Sequence, residues 1–147
     1  MFTNNVKRRL IRLRNTKAMQ FMNFLASINK PLETGNIQGA EYFVLQEQTF
    51  QVVALFSKEM DAVTIFSLQY GTEVQKSKRS KILEKLNELN LKYTKLKFVI
   101  SVENLVQGMI FLDASLFYDP KEVLAMMLVT SQTLKDEWDE INKLLHH

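Results

Sequence analysis

Cysteine is missing altogether from these 147 residues, and histidine occurs only as His146 and His147. Without thiols there is no disulfide framework, no thiolate metal site and no cysteine nucleophile. The two imidazoles directly follow Leu144-Leu145, a position that suggests a purification-tag remnant rather than a metal site. With them set aside, no imidazole base remains, which excludes Cys–His and Ser–His–Asp nucleophilic catalysis. Gly35, Gly39, Gly71 and Gly108 stand singly, so no phosphate-cradling glycine loop is present. No run approaches the roughly eighteen uncharged apolar residues of a membrane span. Nor does an apolar stretch with a small-residue cleavage site follow the basic N-terminus. A cytoplasmic location is the expectation.

Acidic residues are missing from one region only. Residues 1–30 contain Lys7, Arg8, Arg9, Arg12, Arg14, Lys17 and Lys30 and no acid, whereas all 16 Asp and Glu fall in residues 31–147. The sequence pI near 9.1 therefore belongs to the first thirty residues, and the remainder is mildly acidic. Lys7, Arg8, Arg9, Arg12 and Arg14 are the candidate contact residues for a partner or anion. Such a density attracts phosphate backbones or anionic lipid, and it equally suits an acidic surface of the same domain or of a second subunit. Lys76, Lys78, Arg79 and Lys81 form a second cluster at the start of a helix, where cations oppose the helix dipole.

What is present reads as one α+β domain. Apolar residues make up 46% and charged residues 24%, an ordinary globular balance. Asn4 or Asn5 can cap a helix running to about Ile28, with Val6, Leu10, Leu13, Phe21, Phe24, Leu25 and Ile28 at helical spacing. Residues 30–36, with Pro31 and Gly35, stop it. Strands are expected over Glu41–Gln46, Thr49–Ser57 and Ala62–Tyr70, all rich in β-branched and aromatic residues. A helix over Ser77–Leu91, strands over Leu96–Val102 and Val106–Ala114, and a last helix to about Leu145 complete the order α-βββ-α-ββ-α. Asp119-Pro120-Lys121-Glu122 opens the last helix as cap, preorganised first residue and capping-box partner. The expected fold is an antiparallel five-stranded sheet packed with helices, with residues 1–17 as a basic helical extension and 18–145 as the domain.

Isolated acids offer little for catalysis. Asp113 at a strand end could carry a raised pKa in an apolar setting, although a solvent-facing carboxylate is the simpler reading. Asp136, Glu137, Asp139 and Glu140 around Trp138 lack the spaced ligand loop of a calcium site and read as a solvated helix face. Phe43, Phe50, Phe56, Phe66, Phe98 and Phe111 alternate along strands, so core packing is favoured over base stacking. Met19, Met22, Met126 and Met127 suit either the core or adaptable contacts.

The segment Leu86-Asn87-Glu88-Leu89-Asn90 resembles the ending of the central helix in the YbjN family, which shares the type III secretion chaperone fold. Lys92-Tyr93-Thr94-Lys95, two strands and the Asp-Pro-Lys-Glu helix opening follow in the same order, so the resemblance covers about residues 18–145. It implies a non-catalytic, homodimeric module without cofactor that binds or regulates other polypeptides. The basic N-terminus departs from the acidic character of such chaperones, and it supports an alternative, binding of nucleic acid or an anionic surface.

Overall fold

Strands that are apolar on both sides cannot be satisfied by one layer of helices, and that fact organises the molecule. The computed structural model describes residues 16–69 and 72–146. Within them lie helix α1 (Thr16–Ser27), strands β1 (Glu33–Ile37), β2 (Ala40–Gln46), β3 (Phe50–Phe56) and β4 (Ala62–Gln69), and helix α2 (Arg79–Lys92) after a 3-10 turn at Lys76–Lys78. Strands β5 (Lys97–Ile100) and β6 (Val106–Asp113) and helix α3 (Pro120–His146) follow. The strands form one six-stranded sheet in the order β1-β2-β3-β4-β6-β5, antiparallel throughout. The α+β class and the antiparallel sheet agree with the sequence expectation.

The strand count does not. β1 lies in the segment expected only to stop the first helix. Its sequence, Glu-Thr-Gly-Asn-Ile, has no apolar alternation because it is an edge strand carrying little of the core. It pairs with β2 through a two-residue turn in which Gln38 (φ 51°) and Gly39 (φ 89°) both take left-handed backbone, the geometry of a type I′ hairpin. The Asn36 side chain accepts a bond from the Gly39 N–H at 3.0 Å and fixes this turn. Gly35 is required for a different reason: a β-carbon there would overlap the phenol ring of Tyr42 on β2.

Helix ends follow local chemistry. Asn29 (φ 53°) sits just past α1, where the Lys30 N–H bonds Leu25 O at 2.9 Å and the Asn29 N–H bonds Ala26 O at 3.1 Å, a Schellman closure with asparagine in the left-handed position. Asp119 caps α3 through the Lys121 N–H at 2.9 Å. Lys78, from the second basic cluster, donates to Leu145 O at 2.8 Å and so meets the negative end of the α3 dipole.

All three helices lie on one face of the sheet. Phe21 of α1 is fully buried there, edge-on to Phe43 at 4.8 Å between ring centroids and 5.6 Å from Phe56. Met127, Leu134 and Ile141 of α3 and Ile82, Leu86 and Leu89 of α2 complete the core. Gly108 allows close approach of Leu96 and Leu134, and the Ser67 hydroxyl accepts from the Gly108 N–H at 2.9 Å. Met22 and Met126 pack against this core, so these methionines are structural. Phe21→Ala removes the α1 member of the aromatic cluster. It is expected to cost about 3–5 kcal/mol in chemical unfolding, and a loss under 1 kcal/mol would contradict the packing.

Ion pairs join the helices to one another and to the sheet. Lys85 of α2 donates to Glu140 of α3, Lys92 to Glu137 at 3.2 Å, and Lys135 to Glu47 at 3.0 Å. The hydrogen bond from Lys85, then its charge, holds Glu140 below the ordinary glutamate value. Donating that hydrogen bond to Glu140 raises the Lys85 pKa against its partial burial. Burial pushes Glu47 up, but bonds from Ser131 and Lys135 outweigh it and leave the pKa lowered. A carboxylate depressed in the folded state stabilises above its unfolded pKa and loses that contribution as pH falls through the folded value. A raised lysine stabilises below its unfolded pKa and loses its contribution as pH rises through the folded one. The melting temperature is therefore expected to be flat from about pH 6 to 9 and to fall below about pH 4.5. A melting temperature that climbs on acidification would contradict these pairings.

Candidate open face of the sheet

Period-two alternation places a second set of apolar side chains on the face opposite the helices. The register aligns Glu33, Val44, Val53, Phe66, Met109 and Lys97 in one row crossing all six strands. The neighbouring row runs Gly35, Tyr42, Leu55, Thr64 and Phe111. The centre of the first row is hydrocarbon, with charge only at the two sheet edges, while the second row interposes the Tyr42 and Thr64 hydroxyls.

Curvature turns the β1–β4 part of this face into a trough of about 670 Å³. Val44, Val53, Leu55, Phe66 and Leu68 floor it, Tyr42 and Ile37 wall it on the β1 side, and Ser57, Lys58 and Glu59 close one end. Its volume lies in the range of ligand-binding clefts, roughly 300–1,000 Å³. No helix among the described residues lies over it. Ile37 is 59% exposed, Leu68 41% and Phe111 66%, so a contiguous apolar surface meets solvent. At the end of β6 the apolar surface continues into Leu116 and Phe117, which are 99% and 74% exposed.

Polar groups line the trough as well. Gln51 donates to Gln46 at 2.7 Å. Ser57 donates to Asp61 at 2.8 Å and accepts from the Asp61 and Ala62 N–H groups, which shapes the β3–β4 turn. The Lys58 stem packs along Gly39. Glu33 and Glu59 are exposed carboxylates. The lining is thus mixed, with Val44, Val53, Leu55, Phe66 and Leu68 beside Gln51, Tyr42 and the charged groups at the end.

The residues singled out from sequence fall in several places. Lys7, Arg8, Arg9, Arg12 and Arg14, and the Asn4 or Asn5 cap, lie outside the described residues. Asp113 is exposed at the end of β6, where its carboxylate accepts from the Ser115 hydroxyl at 2.6 Å and the Ser115 N–H at 2.9 Å. Those bonds hold its pKa below the ordinary range, the opposite of the shift a general acid needs. Glu137 and Glu140 serve the helix–helix pairs. His146 Nε2 stands 3.1 Å from the Thr72 hydroxyl. The described residues contain no group of three or more His, Asp or Glu able to hold a metal, and no helix among them is long and apolar enough to cross a membrane.

The trough itself was not read from the sequence. Phe50, Phe56 and Phe98 do face the helices, but Phe66 and Phe111 face away from them, on the open side. The available signal was the run Val52-Val53-Ala54-Leu55-Phe56, apolar at consecutive positions. Such a run belongs to a strand with apolar contacts on both faces. Comparison with protein-family models, with curated proteins and with solved structures finds no match to this chain.

Proposed function

We propose that this chain is a non-catalytic protein-interaction module, chaperone-like or regulatory, which binds a polypeptide segment of a partner protein on the open face of its sheet and acts as a homodimer. The observation that carries the reading is the trough, with Val44, Val53, Leu55, Phe66 and Leu68 lining it on the uncovered face. Such a surface captures apolar side chains from an unfolded or extended segment, with about 25 cal/mol gained per Å² of apolar area removed from water. Main-chain bonding along the exposed β1 edge could add to this. The sequence resemblance to the YbjN family and to secretion chaperones supports the same reading, including the homodimer.

The test is binding of a permanently unfolded, apolar model polypeptide, read by fluorescence anisotropy. Leu68→Asp and Ile37→Asp alter trough side chains already exposed by 41% and 59%, so the fold is expected to persist, with a strand-propensity cost of up to about 1 kcal/mol. Each is expected to weaken binding at least tenfold. Equal binding by wild type and both variants would remove the trough from the mechanism, and light scattering giving a monomer mass at micromolar concentration would remove the homodimer.

A further inference from the structure

The two edges of the sheet differ in what their outward main-chain groups meet. At the β5 edge the Asn90 side chain of α2 takes both such groups of Phe98. The Phe98 N–H donates to Asn90 Oδ1 at 2.6 Å, and Asn90 Nδ2 donates to Phe98 O at 3.0 Å. This amide stands where a further strand would bond, and Lys97 Nζ is held on the Asn90 and Tyr93 carbonyls next to it. An edge covered in this way is closed to another chain.

The β1 edge has no such cover. Ile37 and Ala40 flank the two-residue turn, so the hydrogen-bonded pairs of the hairpin fall at Ile37–Ala40, Gly35–Tyr42 and Glu33–Val44. The N–H and C=O groups of Thr34 and Asn36 therefore point away from β2, and no other described residue bonds them. The strand, Glu-Thr-Gly-Asn-Ile in unbroken register, contains no proline, lysine or bulge to blunt it.

These outward groups are self-complementary. Antiparallel pairing of β1 with β1 of a second copy, centred on Gly35, sets Thr34 of each chain opposite Asn36 of the other. Each such pair exchanges both N–H···O bonds, so every outward group is satisfied at once. The Tyr42 phenol overlies Gly35, which brings the two tyrosine rings side by side across the axis. Glu33 of each copy reaches the other copy's Ile37 end, where the Lys58 stem packs along Gly39 and Glu59 follows on the β3–β4 turn. Antiparallel pairing thus gives Glu33 an opposite charge in Lys58, whereas parallel pairing would set Glu33 beside Glu33. A two-fold operator uses one edge twice and closes. A head-to-tail array would need β1 on β5 of the next copy, and Asn90 already occupies that edge.

We propose that the homodimer forms by antiparallel pairing of β1 with β1 of a second copy, Thr34 against Asn36, which gives one continuous sheet with both troughs on the same face. This rests on the homodimer of the proposed function and assigns its interface, leaving each trough free for the partner polypeptide.

The test uses the full chain. Thr34→Pro removes an outward N–H that β2 does not use, the edge position at which proline is tolerated. Thr34→Ala loses the same hydroxyl bond to Tyr42 O and keeps the N–H. Light scattering over a micromolar dilution series is expected to give twice the 17.2 kDa chain mass for wild type and Thr34→Ala. Thr34→Pro is expected to raise the dissociation constant at least tenfold with unchanged circular dichroism. A folded Thr34→Pro that dimerises like wild type overturns this interface and leaves the homodimer standing, whereas a monomeric wild type overturns both. Amide exchange on the wild-type protein needs no variant to fold. The Thr34 and Asn36 amides are expected to exchange at least tenfold more slowly in the dimer than at dilutions where monomer dominates. Exchange that dilution leaves unchanged overturns the proposal. Exchange slowed only when the unfolded polypeptide is added also overturns it, and assigns the edge to the partner instead.

Discussion

The arrangement depends on a mismatch between a sheet with apolar side chains on both faces and a helical layer that covers only one. On the covered side, Phe21, Phe43 and Phe56 meet in edge-to-face contacts, and α2 and α3 are pinned to each other through Lys85–Glu140 and Lys92–Glu137. These contacts satisfy the inner face and leave α1, α2 and α3 no freedom to reach the outer one. An exposed apolar face carries a solvation cost that the fold does not relieve by itself. In the proposed function, binding of an apolar polypeptide relieves it.

The charge distribution belongs to the same picture. Several cations within the described domain do structural work: Lys17 on two carbonyls, Lys78 at the end of α3, Lys85 and Lys92 between helices, and Lys97 on the carbonyls of Asn90 and Tyr93. The carboxylates at the trough's rim are exposed. They stand with the exposed Lys58, so the rim carries charge of both signs.

Much of the fold was legible because its signals are local. Asp119-Pro120 announces α3, the heptad-like spacing of Ile82, Leu86 and Leu89 announces α2, and β-branched runs mark β2 to β4 and β6. Edge strand β1 was not legible, since Glu-Thr-Gly-Asn-Ile has no core face and is held by a Gln38-Gly39 turn outside the usual Asn-Gly pattern. The candidate site was legible only in fragments. Val53, Leu55 and Phe66 are ordinary strand residues in sequence, and their assembly into one row requires the register across β2, β3, β4 and β6. Tyr42 becomes a wall only because Gly35, on the neighbouring strand, lets its ring lie flat.

The central claim is that apolar polypeptide binds to the outer face of this sheet. Methyl-resolved NMR during titration with an unfolded apolar polypeptide tests it most directly. The account predicts shifts at Val44, Val53, Leu55 and Leu68, with Val123, Leu134 and Ile141 of the covered core unmoved. Saturable binding that shifts the core or α3 methyls and leaves the trough methyls in place would contradict it.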